Sequence, residues 1–234
     1  MKAQPPYHAV LFDLDGTLID TAEDFIACLN DMRAEHQLSP LPDDDIRKVV
    51  SDGARAMIKL AFDIDTSHSD FDAKRQRFLD LYLDNIARKS QLFSGLDAVI
   101  DWCDSQKIPW GIVTNKPRLY SEALLKKLNL DQRLHTLVCP DDVSQTKPNP
   151  EPMYKACKEM NLAAEQCIYV GDHARDIEAG KRANMATIAA GYGYVHADDE
   201  AESWQADWCI QQSEQLLGLL QTLLTPISGN ATPQ

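Results

Sequence analysis

Hydrophobic positions follow three successive patterns along the chain. The first pattern is a short unbroken apolar run, Val10-Leu11-Phe12, which passes into Asp13-Leu14-Asp15-Gly16-Thr17. Such a run, closed by a Gly-containing turn, predicts a fully buried strand. From Asp20 to about Ser90 the apolar residues recur at helical spacing instead: Phe25, Ile26, Leu29 and Met32, then Ile46, Val49 and Val50, then Met57, Ile58 and Ala61, then Phe71, Phe78, Leu79, Tyr82 and Ile86. Asp20 or Thr21 is placed to cap the first of these helices, and Ser39-Pro40-Leu41-Pro42 interrupts the series. No strand is expected in this block.

From Phe93 the two rhythms alternate. Strands are expected at Trp110–Thr114, Thr136–Cys139, Cys167–Val170 and Ala186–Ala189. Helices are expected around Leu96–Cys103, Leu124–Leu128, Met153–Met160 and Ala174–Arg182. Strands alternating with helices imply βαβ units and a parallel sheet covered on both faces. The expected fold is therefore α/β, a doubly wound parallel sheet of Rossmann-like type with an inserted all-helical cap. Residues 1–19 and 91–234 would form the core and residues 20–90 the cap, with a frayed tail over 225–234.

Composition narrows the function classes. The 234 residues carry a net charge of −13, which argues against a nucleic-acid partner, since that calls for a basic face. No apolar stretch reaches membrane-spanning length, and the N-terminus lacks a signal-type apolar core. Cys28, Cys103, Cys139, Cys157, Cys167 and Cys209 have neither CxxC nor zinc-finger spacing. Free thiols in a reducing, cytoplasmic setting are expected.

The chemistry gathers where strands end, which is where open α/β sheets bind ligands. Asp13 and Asp15 are two apart, so an extended strand would aim both at one small volume. Two carboxylates that close repel each other unless a cation intervenes or one keeps its proton; taken alone, the pair also fits the opening of a solvated turn. The second core strand ends in Thr114-Asn115, whose hydroxyl and neighbouring N–H groups suit phosphate oxygens or, equally, a helix cap. Lys147 sits in Gln145-Thr146-Lys147-Pro148-Asn149-Pro150, where prolines stiffen its approach. The fourth strand runs into Gly171-Asp172-His173-Ala174-Arg175-Asp176. Asp172, with Asp13 and the backbone carbonyl of Asp15, would offer Mg²⁺ an oxygen-rich site, and Asp176 one turn later would orient Lys147 or a metal-bound water.

In this order, these four groups resemble the four motifs of the haloacid dehalogenase superfamily of phosphatases, and the helical insertion resembles its cap. The resemblance covers nearly the whole chain. Within the superfamily the chain is similar to the phosphoglycolate phosphatase group. Ser51 to Met57, Val138 to Val143 and Gly171 to Gly180 look like N-acetylmuramic acid 6-phosphate phosphatases. The resemblance implies a Mg²⁺-dependent phosphomonoesterase with Asp13 as nucleophile, Asp15 as general acid and base, and Thr114, Asn115 and Lys147 positioning the phosphoryl group. It implies a small phosphorylated metabolite as partner, with N-acetylmuramic acid 6-phosphate first and 2-phosphoglycolate second. Monomer and homodimer stay open.

Both of those substrates carry a carboxylate, and Arg55, after the Asp52-Gly53 turn, is placed to read it from the cap. His173 is a candidate for the site entrance. Arg175 reads as a solvated helix residue or the partner of a neighbouring acid, and Trp204 and Trp208 as packing residues. Two rivals remain: a sugar-phosphate mutase of the same fold, and a phosphorylation-controlled signalling module, which would lack both the cap and the acid at Asp15.

Overall fold

The computed structural model describes residues 7–196 and 199–225; the expected frayed tail falls, beyond Thr225, outside them. The core strands are β1 (Ala9–Phe12), β4 (Trp110–Val113), β5 (Thr136–Val138), β6 (Cys167–Gly171), β7 (Ala186–Ala190) and β8 (Trp208–Ile210). They form one sheet in the order β5-β4-β1-β6-β7-β8 with every pairing parallel. Taken as core strands in chain order this is 3-2-1-4-5-6, the doubly wound arrangement whose winding reverses beside the first strand. The reversal lies between β1 and β6, so the loops after these two strands open onto the same crevice.

Alternation within β1 explains the two covered faces. Val10 and Phe12 join a core with the helices α5 (Leu96–Gln106), α6 (Arg118–Lys127) and α9 (Gln215–Leu223). Ala9 and Leu11 face the other way, toward Met153 and Ala156 of α7 (Glu151–Met160) and Ala179 of α8 (Ala174–Arg182). All four β1 residues are buried, as a central parallel strand requires.

The insertion comprises α1 (Ala22–Glu35), α2 (Asp43–Arg47), α3 (Gly53–Phe62) and α4 (Phe71–Asn85). It leaves and re-enters the core through an antiparallel pair absent from the sequence reading, β2 (Ile19–Asp20) with β3 (Gln91–Leu92), in which Ile19 faces Leu92 and Asp20 faces Gln91. The Asp24 carboxylate of α1 ties the stem together, accepting from Lys89 N at 2.8 Å and from the Ser90 hydroxyl at 2.5 Å.

Of the two cap candidates, Asp20 serves the start of α1 and Thr21 does not. Thr21 occupies the cap position of α1, but its hydroxyl donates to Asp15 Oδ1 at 2.7 Å instead of capping the helix. The Ala22 N–H is taken by Asp20 Oδ1 and by the Tyr194 hydroxyl. Cys28, Cys103, Cys139, Cys157 and Cys167 are free and buried, and Cys209 is free and exposed.

Candidate active site

Neither carboxylate of the Asp13/Asp15 pair lies in the strand, because β1 ends at Phe12. Asp13 N still donates to Val170 O of β6 at 2.9 Å, but the chain turns after it, so a continuing strand is not what carries Asp15 to the site. A tight turn does this work: Gly16 sits at φ +82°, a conformation that only glycine adopts at little cost. Both acids line one cavity of about 420 Å³ between the sheet edge and the helical insertion. The expected repulsion is relieved in an unanticipated way, by a separate lysine for each acid.

Lys147 serves Asp13. Its ammonium is fully buried and lies 2.9 Å from Asp13 Oδ1 and 2.7 Å from Asp176 Oδ1. It also donates to the Tyr169 hydroxyl at 2.8 Å and to Val113 O at 3.0 Å. Burial opposes its charge, but Asp13 and Asp176 outweigh that and hold Lys147 above the ordinary lysine value. Asn115 fastens this lysine from behind: its side-chain amide donates to Lys147 O and accepts from Lys147 N, both at 3.2 Å. Thr114 is buried, lines the cavity and accepts from Lys116 N at 3.2 Å.

Lys116 serves Asp15, and the sequence reading missed it. Its Nζ donates to Asp15 Oδ1 at 3.0 Å, to Asp15 Oδ2 at 3.1 Å and to the Tyr82 hydroxyl at 2.9 Å. The available signal was its position: it follows the polar strand end Thr114-Asn115 and, like Lys147, precedes a proline.

Asp172 lies just past β6. Its two oxygens accept from the Thr17 hydroxyl and from Tyr194 N, each at 2.9 Å. Oxygens of Asp13, Asp172 and Asp176 lie within 4.8 Å of one another, and all three residues are buried. Burial, with Asp13 and Asp176 alongside, pushes Asp172 above the usual carboxylate range. Burial also raises Asp176, against the pull of Lys147. Three buried carboxylates thus gather beside one buried lysine, which pairs with Asp13 and Asp176. An all-oxygen donor set short of positive charge fits a hard divalent cation such as Mg²⁺. The oxygen of Asp15 assigned to that ion is its backbone carbonyl; its side chain is turned to Lys116.

The insertion supplies the opposite cavity wall. Arg55, in the first turn of α3, lines it together with Arg75 of α4. Arg75 Nε is buried without a hydrogen-bond partner among the described residues. Arg175 departs from its sequence assignment: half-buried, it lines the cavity and donates to Ser51 O of the insertion, and it forms no ion pair with an acid among the described residues. His173 stands outside the cavity lining. Its Nδ1 accepts from Arg175 N as the α8 cap, and its ring stacks on Trp204 at 6.5 Å. Burial and neighbouring Arg175 push His173 down to about 4, leaving it a neutral, structural ring near neutral pH.

Residues 10–190 match the family described as haloacid dehalogenase-like hydrolase. The chain belongs to that family. Relatives agree along almost the full length. It is 40% identical over 216 residues to an N-acetylmuramic acid 6-phosphate phosphatase of Pseudomonas aeruginosa, covering 92% of this chain and 96% of that one. A phosphoglycolate phosphatase of Xanthomonas campestris is 40% identical over 211 residues, covering 89% and 94%. A solved structure from Haemophilus somnus, described as a predicted phosphoglycolate phosphatase, superimposes with a TM-score of 0.82 at 22% identity, covering 94% of this chain and 100% of that one. This haloacid dehalogenase-like hydrolase is an enzyme of the phosphatase type. Among its described residues, no helix is long and apolar enough to cross a membrane.

Proposed function

We propose that this phosphatase is a cytoplasmic, Mg²⁺-dependent phosphomonoesterase that works through an aspartyl-phosphate on Asp13, with N-acetylmuramic acid 6-phosphate as substrate. The observation that carries the chemistry is the setting of Asp13. Its Oδ1 is pinned by Lys147 at 2.9 Å and by Leu14 N at 2.7 Å, which leaves Oδ2 to attack phosphorus.

In the first step the Oδ2–P bond forms and the ester P–O bond breaks, while Asp15 gives its proton to the departing alkoxide. In the second, Asp15 takes a proton from water, which attacks phosphorus and releases inorganic phosphate and free Asp13. Lys147 neutralises Asp13 and the incoming phosphoryl oxygens, held in place by Asn115. The Thr114 hydroxyl donates to a non-bridging oxygen. Asp13, Asp172 and the Asp15 carbonyl would hold Mg²⁺, with Asp176 holding Lys147 in place behind them. Bound Mg²⁺ would neutralise the charge that develops on the transferring group. These local cations answer the net charge of −13, whose distant members are screened by salt.

Two features favour the sugar ester over the runner-up, 2-phosphoglycolate. Relatives named for it reach 42% identity over 216 residues, against 40% over 211 for those named for the runner-up. The cavity of about 420 Å³ falls in the range of about 300–1,000 Å³ that larger ligands occupy, more room than a two-carbon acid fills. Arg55 would grip the lactyl carboxylate, and His173 would act through its cap on α8.

The deciding experiment compares kcat/KM for the two esters with Mg²⁺ present. A preference of about tenfold or more for the sugar ester, equivalent to about 1.4 kcal/mol of transition-state binding, is expected; the reverse preference assigns the runner-up. Asp13→Asn should abolish phosphate release while the melting temperature holds, and near-normal turnover would refute covalent catalysis. Prompt single-turnover release of phosphate separates a phosphatase from a mutase.

A further inference from the structure

Lys116 occupies a position that the phosphoryl-transfer scheme does not use. It is a core residue, only 8% exposed, at the foot of α6. Its ammonium spans both oxygens of Asp15 on the core side. On the other side every partner comes from the insertion. The Tyr82 hydroxyl of α4 accepts at 2.9 Å. The rings of Tyr82 and of Phe25 from α1 lie 4.6 and 4.7 Å from Nζ. Those two rings stack on each other at 4.1 Å and 13°, and the ammonium packs against the side of the stack. The stack holds the Tyr82 hydroxyl in place for the ammonium and keeps water from that side of it. Thr21, at the start of α1, completes the grip with its hydroxyl on Asp15 Oδ1.

We propose that Lys116 is the positioning residue of the acid/base, and that the Phe25–Tyr82 pair of the insertion sets its place. The inference rests on Asp15 acting as general acid and base. Sheet and turn fix the Asp15 backbone, while the direction of its carboxyl is set by Lys116 and Thr21. Both contacts lead into the insertion, so proton delivery to the leaving group depends on how the cap helices sit over the core. Lys147 leads nowhere comparable, because its partners are all core residues.

The leaving group supplies the test. p-Nitrophenolate departs without a proton, whereas a sugar alkoxide needs one. For Lys116→Met, kcat/KM toward N-acetylglucosamine 6-phosphate, an alkyl ester with no carboxylate, is expected to fall about 10–100-fold, part of the 10²–10⁴ that general acid catalysis supplies. With p-nitrophenyl phosphate the loss should stay within about threefold, because the first step then needs no acid. Tyr82→Phe, which keeps the ring stack and removes only the hydroxyl, should show the same pattern at smaller size. Adding Lys116→Met to Asp15→Asn should cost nothing further with the sugar ester. Equal losses on both esters would make Lys116 a merely structural residue. A loss confined to 2-phosphoglycolate and N-acetylmuramic acid 6-phosphate would make it a reader of the substrate carboxylate. Either result overturns the proposal. If Asp15→Asn itself affects both leaving groups alike, the acid/base reading fails first and the role of Lys116 falls with it.

Discussion

A carboxylate in the loop after β1 is useful only while its neighbours keep it at the right place and charge, and Gly16 carries part of that load. An added Cβ there would lie 2.1 Å from Asp172 Oδ2, and the residue sits at φ +82°. An alanine must therefore either leave the left-handed conformation or push Asp172 away from Thr17 and Tyr194. We expect Gly16→Ala to lower kcat by about 100-fold, as a displacement of about 1 Å at a reacting site does, with secondary structure retained by circular dichroism. Activity within threefold of wild type would mean that the turn adapts. Gly171 carries the matching restraint on the neighbouring loop, where an added Cβ would lie 2.3 Å from the Asp176 Cβ.

At the scale of elements, the two ends of the insertion are tied to each other by contacts of high sequence separation. Asp24 accepts from the Lys89 and Ser90 main chain and from the Ser90 hydroxyl, 65 and 66 residues away. It is 2% exposed, so removing it leaves donors without partners in a dry place. Asp24→Ala should cost about 1–3 kcal/mol, read as a lower urea midpoint, and kcat should fall with it if the stem seats the cap. An unchanged midpoint would show that water replaces the carboxylate. This tie also marks where sequence reading reaches its limit. The long helices and buried strands announced themselves through period, and α8 was read with its observed bounds, Ala174–Arg182. The strands β2 and β3 have two residues each, too few for any period to register. Asp13, Lys147 and Asp172 stood out because each ends a strand or interrupts a proline-rich loop. Lys116 and Arg75 did not, since their roles arise from what the insertion brings over them. Arg175 was misread because a helix face solvated in isolation becomes a cavity wall once Ser51 lies against it.

For the whole molecule, the three buried carboxylates couple stability, pH and metal. Burial first, and Asp13 and Asp176 next, raise Asp172 from 3.8 to about 8. In the metal-free protein the folded chain therefore holds this proton more tightly than the unfolded chain does. That contribution to stability is whole below about pH 4 and is lost as the pH rises through about 8. Asp176, raised to about 6, acts in the same direction over a narrower window. A divalent cation reverses the balance, because it binds the ionised carboxylates and must displace the proton to do so. Mg²⁺ should therefore stabilise the protein more at pH 8 than at pH 5. At about a hundred times its dissociation constant the gain is about 2.7 kcal/mol, or about 5–10 °C in Tm for a chain of this size. Asp172→Asn should lose most of the pH 8 gain. Thermal melts with and without Mg²⁺ at the two pH values decide the matter. Equal shifts at both, or an undiminished shift in the variant, would place the ion elsewhere and leave the buried charge of Asp172 balanced by something other than metal.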